Sequence, residues 1–478
     1  MMFASELVWS NSLAVVGSDI MQLPSRGPKS LPLLGHLPQM ALNPIKFFTQ
    51  LTPRYGDVVP IRMGLSKALF VNRPELIQQL IRDRNCVRSE ESRIGIRSFL
   101  GDGLLSLEGP THLQHRRLMA PAFHRQRFLE YGALMCDETY KEIATWKTGE
   151  TRDVHEDMAR LTFSIVSKAL FNVDPNAHSS EADEVGRALK EVLPWMLLGA
   201  VVAGVAPWMP VLYSPSARAS IKRLKQLVRE IIARRRREGG DRGDLLSMLL
   251  ETRDENGEAL SDADVCGEAL TLLLAGYDTT ASTMTWAFYL LAQNPQLQAA
   301  VADQVLSVTG DARTRVTTEM LPRMPLIRQA LDETLRMFPV VWIGDRTPQR
   351  AMNLGPYAIP EGLRVMFSMY VTQRDARFYP EPERFDPGRF SPERIDQIPE
   401  GAYMPFGAGV HMCIGNHFAL MESQVILAAL LQHFAFQSVP NFKLRLDPQV
   451  VLSPIGALPL SIQARGQRQQ SLRREVSA

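Results

Sequence analysis

One long apolar segment constrains the fold more than any other feature of this sequence. Residues Ser261 to Gln293 have the pattern of a single helix of about 33 residues, roughly 50 Å long. Its middle, Ala269 to Ala275, is almost wholly apolar. A helix that is apolar on every side must be buried, so other helices have to cover it. The chain is therefore predicted to be mainly α-helical.

Helical periodicity recurs along the chain, whereas β-rich pieces are short. Further helices are predicted at Pro44–Tyr55, at Pro110–Lys147 with an interruption at Pro121, at His155–Leu170 and at Ala217–Arg237, and β structure at Lys67–Asn72 and Tyr357–Val371. No repeat or low-complexity linker divides the 478 residues. We expect an N-terminal segment at 1–25, one domain at 26–465 and a polar tail at 466–478.

Composition excludes several classes of protein. The 53 Lys and Arg nearly balance the 51 Asp and Glu, so the overall charge indicates no nucleic-acid partner. The four cysteines are widely spaced, which fits neither a disulfide framework nor a zinc site. We expect Cys86, Cys136 and Cys266 to be small buried side chains. The N-terminus lacks a secretory signal or an apolar anchor, which predicts a soluble cytoplasmic protein without a stable membrane anchor.

Two other segments are given interpretations that involve no chemistry. The uncharged stretch 192–213 approaches the length of a membrane span, but its three prolines argue against one continuous helix. We interpret it as a mobile apolar lid. The basic cluster Arg234 to Arg237 is interpreted as a solvated helix end, where cations suit the helix dipole.

A glycine-rich loop at 406–415 places Cys413 just before a helical pattern that begins at Asn416. Backbone N–H groups at a helix start stabilise a thiolate, and a thiolate is one of the ligands that proteins offer to haem iron. Gly407 and Gly409 allow the backbone to turn tightly beneath a flat macrocycle. This loop is the strongest candidate for a cofactor site.

Polar residues interrupt the long apolar helix at Gly276, Asp278, Thr279 and Thr280. Such residues lower helix propensity and place a carboxylate in the core. One explanation is purely structural, with Thr279 bonding a carbonyl one turn back and bending the helix. The other is that the acid and the alcohol serve chemistry.

The cysteine loop resembles the haem-binding loop of the cytochromes P-450, in which Phe406, Gly409, His411, Cys413 and Gly415 match fixed positions. The segment Ala275 to Thr280 is similar to the oxygen-activating segment of the same family. The resemblance implies the cytochrome P-450 fold, a large helical domain with a small β-rich region. Haem b would lie between the long central helix and the helix after the cysteine loop.

The resemblance also assigns roles to individual residues. It implies that Cys413 is the axial ligand of the iron, that Asp278 and Thr279 are catalytic in reductive activation of O2, and that Glu333, Arg336 and Arg384 form a buried structural triad, although the same Glu-x-x-Arg spacing recurs elsewhere. Cofactor-binding residues are expected to be His112, Arg116, Arg346, Phe406, Gly407, His411, Cys413 and Gly415. His411 replaces the usual arginine, so its bond to a propionate should depend on pH. His112 and Arg116 could instead be solvated charges.

The family pattern determines the substrate poorly. Candidate pocket residues are mostly apolar, which suits a hydrophobic small molecule such as a fatty acid, terpenoid or polyketide. These residues are Ala275, Val341, Trp342, Ile343 and Ile455. The chain ends 65 residues after Cys413, so electrons from NAD(P)H are expected through a separate ferredoxin or flavodoxin and its reductase, docking near Arg117, Arg125 and Arg127. Alternatives are a haem-thiolate isomerase or dehydratase, a peroxide-driven peroxygenase, and a non-catalytic haem-binding sensor.

Overall fold

The computed structural model describes residues 22–123, 127–172, 191, 195, 213–253, 257–449 and 451–465. Most of the N-terminal segment, most of the proposed lid at 192–213, Arg125 and the polar tail lie outside the described residues. Within the described part of the chain, no helix combines the length and the apolar character needed to cross a bilayer.

Helices account for most of the described structure. The α-helices are α1 (Leu37–Leu42), α2 (Pro44–Thr49), α3 (Leu51–Tyr55), α4 (Pro74–Arg82), α5 (Glu90–Leu100), α6 (Gly109–Met119), α7 (Phe128–Ile143), α8 (Val154–Phe171), α9 (Pro215–Glu238), α10 (Leu245–Glu251), α11 (Asp262–Gln293), α12 (Pro295–Thr309), α13 (Pro325–Met337), α14 (Met369–Thr372) and α15 (Asn416–His433). Short 3-10 helices cover Ala120–Phe123, Thr318–Arg323, Pro387–Phe390, Ile395–Gln397 and Gly409–His411.

The strands form small sheets. They are β1 (Val58–Met63), β2 (Ser66–Val71), β3 (Cys86–Val87), β4 (Thr151–Asp153), β5 (Gly344–Pro348), β6 (Met352–Leu354), β7 (Tyr357–Ile359), β8 (Arg364–Phe367), β9 (Phe434–Ser438), β10 (Leu446–Pro448), β11 (Leu452–Pro454) and β12 (Pro459–Ala464). The largest sheet has the order β1-β2-β8-β5-β3, and only β2 and β8 pair in parallel. A second sheet has the order β4-β12-β9.

The predicted mainly helical fold is confirmed. The interruption expected at Pro121 falls in the 3-10 helix between α6 and α7, and the other predicted helices are present within a few residues, Pro44–Tyr55 being divided at Gln50. The β prediction over Tyr357–Val371 is wrong at its end, because Met369 already begins α14. There the Ser368 side chain accepts the N–H of Val371 and caps a helix.

Helix α11 is the central element of the core. Ser261 begins it with a capping box, in which its hydroxyl accepts the N–H of Asp264 and the Asp264 carboxylate accepts the N–H of Ser261. Every residue from Val265 to Phe288 is buried except four in the middle. Near its C-terminal end, Trp286 stacks on Phe338 with ring centroids 4.4 Å apart. The apolar composition of this helix is explained by its position.

The predictions for the three other cysteines and for the basic cluster have different outcomes. Cys86, Cys136 and Cys266 are buried free thiols, as expected. The basic cluster in the last turn of α9 is not wholly solvated, because Arg235 is buried. Its guanidinium bonds Asp244 Oδ2 at 2.6 Å and the Phe171 carbonyl at 2.9 Å, so it joins α9 to the N-terminus of α10 and the end of α8.

Glu333 and Arg336, which precede the cysteine loop in the sequence, form a completely buried ion pair. Arg336 donates to both carboxylate oxygens of Glu333, at 2.6 and 2.9 Å, and both side chains are inaccessible to solvent. The prediction that Arg384 completes this pair through its side chain was wrong. The Arg384 side chain is 65% exposed and pairs with Glu381, whereas Arg389 is buried with its Nε 3.4 Å from Glu333 Oε1. Arg384 contributes only a backbone carbonyl, 3.4 Å from an Arg336 nitrogen.

Replacement of the two arginines should therefore have unequal effects on stability. We expect Arg389→Ala to lower the free energy of unfolding by about 2 kcal/mol, because it removes a buried cation that also bonds the Glu381 carbonyl. Arg384→Ala is the matched control and should change it by less than about 0.5 kcal/mol. Chemical denaturation of both variants measures the difference, and a larger loss for Arg384→Ala would contradict this arrangement.

Candidate active site

The cysteine loop is a tight turn built on two glycines. Gly407 and Gly409 have φ of 68° and 65°, in the left-handed region that favours glycine. A Cβ on Gly409 would also lie 2.7 Å from the Ile81 carbonyl oxygen, so the loop packs closely against the end of α4. The Cys413 N–H donates to the Phe406 carbonyl at 2.9 Å and closes the turn. Gly415 is then the N-cap of α15.

The Cys413 thiol is surrounded by protein yet keeps accessible surface. The residue is exposed, while burial raises the pKa of its thiol against the lowering effects of the Gly415 N–H and the Arg116 charge. Both observations hold if the accessible surface faces an internal cavity rather than the outside. The Gly415 N–H and the Arg116 guanidinium favour the thiolate, which is the form of cysteine that ligates a metal.

The buried helix α11 keeps accessible surface at four neighbouring positions, which we call its window. Ala275, Gly276, Asp278 and Thr279 are partly exposed, while the residues on either side are buried. Gly276 packs against α8 so closely that a Cβ there would lie 2.8 Å from Val166 Cγ2. A window of this kind in a buried helix indicates space for a ligand beside it.

The acid and the alcohol in this window have distinct environments. Burial raises the pKa of Asp278 to about 6, so its carboxyl can change protonation state near neutral pH. The Thr279 hydroxyl donates to the Ala275 carbonyl at 2.5 Å, which is the structural role considered for this residue. That bond leaves the Thr279 oxygen free to accept. Helix α11 is continuous through this segment, so any bend at Thr279 does not interrupt it.

Both predicted cofactor-binding arginines are placed to meet an anion. Arg346 is only 7% exposed and its Nε has no hydrogen-bond partner among the described residues. One of its terminal nitrogens donates to the Asp345 carbonyl at 2.7 Å. Arg116, in the last turn of α6, is near enough to Cys413 for the two charges to interact. The buried Arg346 guanidinium, with one N–H unbonded, is suited to an anionic partner.

The two predicted histidines lie together beside an unpredicted carboxylate. The rings of His112 and His411 are 4.2 Å apart. His411 Nε2 lies 2.8 Å from Oε2 of Glu108. The other carboxylate oxygen of Glu108, Oε1, pairs with Arg88 Nε at 2.5 Å. Burial, together with the charges of His411 and Arg88, lowers the pKa of His112 to about 3. At neutral pH His112 is uncharged, so it can offer an anion a hydrogen bond but no charge.

Glu108 and Arg88, which lie beside these two histidines in what we call the basic corner, were not predicted from the sequence. The Arg88 guanidinium also donates to the carbonyls of Leu105 and Leu107, both at 2.7 Å. Burial opposes ionisation of Glu108, yet the bond from His411 and the Arg88 charge lower its pKa to about 2. No motif joins these two residues, which are 20 positions apart on different elements.

A second carboxyl was also missed. Glu422, on α15, is completely inaccessible, and neither of its oxygens has a partner within hydrogen-bonding geometry among the described residues. Burial raises its pKa well above the usual value, although the nearby Thr280 hydroxyl lowers it somewhat. Burial thus favours the neutral form of Glu422, which lies where α15 meets α11. A lone acid in an otherwise apolar helix was the signal available in the sequence.

The predicted pocket residues are only partly brought together. Trp342, Ile343 and Ile455 line a groove of about 1590 Å³ that also borders α1, α2 and α3. Trp342 is buried there, with its indole N–H donating to the Pro448 carbonyl at 3.1 Å. The residues lining this groove do not include Val341, which is 49% exposed, or Ala275, which is in the window of α11.

These residues fit haem. A flat macrocycle needs a thiolate on one side, an open face on the other and partners for two carboxylates at its edge. Cys413, the window of α11, and the group of Arg346, Arg116 and His112 have these three properties. Haem b, when bound, supplies the activation of O2.

The pKa of Asp278 predicts a pH-dependent stability. Because the folded-state pKa lies above the ordinary value of 3.8, the unfolded chain ionises this carboxyl at lower pH than the folded chain does. Stability is lost as the pH rises from about 4 to about 6, and the loss is up to about 3 kcal/mol. Asp278→Asn should remove it.

Chemical denaturation of the haem-loaded protein at pH 8 and at pH 4.5 measures this effect. Asp278→Asn should be stabilised relative to wild type at pH 8, and the gain should shrink at pH 4.5. Asp303→Asn, at an exposed position of α12, is the control and should change little at either pH. Equal effects of Asp278→Asn at both pH values would show that the Asp278 carboxyl has no raised pKa.

Comparison with known proteins agrees with this geometry. The sequence profile described as "Cytochrome P450" matches residues 25–458. Cyclooctatin synthase of Streptomyces melanosporofaciens is 34% identical, with 90% of this chain and 94% of that protein covered. Cyclooctat-9-en-7-ol 5-monooxygenase of the same organism is 32% identical, with 87% and 90% covered. Pentalenene oxygenase of Streptomyces avermitilis is 30% identical, with 87% and 92% covered.

A solved structure supports the same assignment. The crystal structure of the cytochrome P450DA heme domain superposes with a TM-score of 0.83 at 25% identity, with 94% of this chain and 99% of that chain covered. The matches extend over nearly the whole chain and include the cysteine loop and α11. The chain belongs to the cytochrome P450 family and is a haem b-dependent monooxygenase that uses O2.

Proposed function

We propose that this monooxygenase hydroxylates a cyclic terpenoid, with Cys413 as the axial ligand and with Asp278 and Thr279 as its catalytic residues. The substrate class rests on one observation: relatives over 87% or more of this chain are named for oxidation of cyclooctat-9-en-7-ol and pentalenene. In the overall reaction one oxygen atom enters a C–H bond and the other leaves as water. Two electrons and two protons are consumed.

The protons pass through the window of α11 in this proposal. Asp278 is partly exposed in that window, and its pKa of about 6 allows it to hold and release a proton near neutral pH. The Thr279 hydroxyl already donates to the Ala275 carbonyl. Its oxygen can therefore accept a hydrogen bond from a protonated group in the cavity. Such a bond would hold that group in place while the second proton arrives.

The basic residues near the cysteine loop serve to anchor the cofactor. We assign the propionates to Arg346 and Arg116, with His112 as an uncharged hydrogen-bond donor. His411 was expected to bind a propionate through a pH-sensitive bond, but its Nε2 is engaged by Glu108. We propose that His411 instead orients Glu108 and Arg88 beside the cysteine loop. Phe406, Gly407 and Gly415 shape the loop that carries Cys413.

The electrons are proposed to come from a separate ferredoxin or flavodoxin served by an NAD(P)H-dependent reductase. The docking surface includes the C-terminal end of α6, where Arg117 is exposed close to Arg116 and hence to the side of Cys413. Arg127 is less available than the sequence suggested. It bonds Asp241 at 2.6 Å and Glu130 at 3.1 Å within the chain.

A spin-state titration tests the substrate class. The purified ferric protein should change to high spin with cyclic terpenoids such as pentalenene, because a bulky apolar ligand displaces water from the iron. Long-chain fatty acids of similar apolar area should cause no more than a small change. A full change with fatty acids and none with cyclic terpenoids would refute the substrate proposal and leave the monooxygenase assignment intact.

Replacement of Thr279 tests the proton-delivery proposal. With surrogate ferredoxin, reductase and a ligand that induces high spin, Thr279→Ala should still consume NADPH, but hydroxylated product per NADPH should fall about tenfold or more while hydrogen peroxide rises. Thr279→Ser keeps the hydroxyl and should remain near wild type. Unchanged coupling in Thr279→Ala would argue against this role. Turnover by peroxide alone in the wild type, without reductive turnover, would favour a peroxygenase.

A further inference from the structure

The chain between α5 and α6 is packed against α11 with almost no space between the backbones. We call residues 101–107 the docked loop. A Cβ on Gly103 would lie 2.4 Å from Thr271 Oγ1 and 2.7 Å from the Gly267 carbonyl oxygen. A Cβ on Gly267 would lie 2.5 Å from the Asp102 carbonyl oxygen. Only glycine on both sides allows this approach.

One buried carboxylate bonds the docked loop to two helices. Glu268, on α11, is completely inaccessible. Its Oε2 accepts the backbone N–H of Leu104 at 3.0 Å, and its Oε1 lies 2.7 Å from Nδ1 of His115 on α6. Burial lowers the pKa of His115, but the bond and charge of Glu268 and the charges of Asp264 and Asp102 raise it overall. The raised pKa favours the protonated imidazole beside the Glu268 carboxylate, and hydrogen bonds of such a pair are stronger than those between neutral groups.

The remainder of the docked loop is fixed from the opposite side. The Ser106 hydroxyl donates to the Gly101 carbonyl at 2.7 Å and accepts the Gly103 N–H at 3.1 Å, so the loop is folded on itself. The Arg88 guanidinium bonds the Leu105 and Leu107 carbonyls. The loop is consequently a rigid link between α11 and the corner that contains Glu108 and His411.

Helix geometry places this loop next to the window of α11. Glu268 precedes Ala275 by seven residues, which is nearly two full turns and about 10 Å along the axis. Side chains at that spacing, with Thr271 between them, lie on the same face of the helix. The face that carries Ala275 and Thr279 at the cavity therefore carries the docked loop two turns earlier.

From this arrangement we infer that Glu268 is a positioning residue that holds the docked loop as a fixed wall of the substrate cavity, and that contact with this wall retains bulky ligands. The inference rests on the proposed function, since it concerns the cavity used by that reaction. Glu268 touches neither the cofactor nor the substrate in this account. Its effect is transmitted through Leu104 and the loop.

Hydrogen exchange measured by mass spectrometry on the haem-loaded protein tests the clamp directly. In Glu268→Leu the peptide covering the docked loop should exchange about tenfold faster, because a charge-assisted bond to Leu104 is lost. Glu268→Gln keeps an acceptor for that N–H and should remain close to wild type. Asp244→Asn disrupts a different buried ion pair, that with Arg235, and should leave this peptide unchanged.

Ligand binding to the iron tests the consequence without requiring turnover. In Glu268→Leu we expect the Kd of 4-phenylimidazole to rise about tenfold and that of imidazole, which is too small to need the wall, to stay within about twofold. A rise for both ligands, or for neither, would overturn the positioning role. Since neither ligand is a substrate, rejection of cyclic terpenoids would leave this result interpretable.

A second variant guards against misfolding of Glu268→Leu. Gly103→Ala leaves Glu268 and His115 unchanged but places a methyl group against Thr271 and Gly267. It should raise exchange of the docked loop and the Kd of 4-phenylimidazole in the same direction. Normal exchange and normal Kd values in Gly103→Ala would contradict the proposed wall. A normal carbon-monoxide spectrum confirms in each variant that the haem site is intact.

Discussion

The position of the cysteine loop depends on a buried pair of opposite charges. Burial of Glu333 and Arg336 away from water is costly unless every hydrogen bond is made. Here Arg336 bonds both Glu333 oxygens and the carbonyls of Gln373 and Pro382. The Gln373 side chain in turn accepts the N–H of Met404, three residues before Gly407. A displacement of the pair would therefore be passed directly to the loop that carries Cys413.

Helix α11 shows how a stable core accommodates chemistry. Most of its length is explained by burial alone, and a capping box fixes where it starts. The window at 275–279 departs from that pattern, because a carboxyl with a raised pKa and a partly exposed threonine replace apolar side chains. Positions at which local preference and the surrounding core disagree are expected at functional sites. The same helix bonds the docked loop through Glu268, so the loop and the window share one support.

The sequence identified only some of the residues that converge near the cysteine loop. His112, Arg116, Arg346 and His411 were identified because each occupies a recognisable place in a family pattern. The pattern did not indicate that His411 would be bonded to Glu108, or that burial would leave His112 uncharged. Those properties depend on which side chains converge from α6, β5 and the cysteine loop. The electrostatics of the corner are therefore a property of the assembled fold.

Features that arise from local order along the chain could be predicted from the amino-acid sequence. These are the burial of α11, the tight cysteine loop with its two glycines, the break between α6 and α7, and the presence of an acid and an alcohol in the middle of an apolar helix. Periodicity and backbone conformation act over a few residues, so they can be read directly. Contacts between distant elements could not be read in this way: Arg389 rather than Arg384 approaches Glu333, Arg235 is buried with a bond to the Phe171 carbonyl, and Glu268 bonds both Leu104 and His115. Each of these pairings joins elements distant in sequence. A buried charge bonds whichever group lies within a few ångströms of it, and the packing of the whole chain sets those distances.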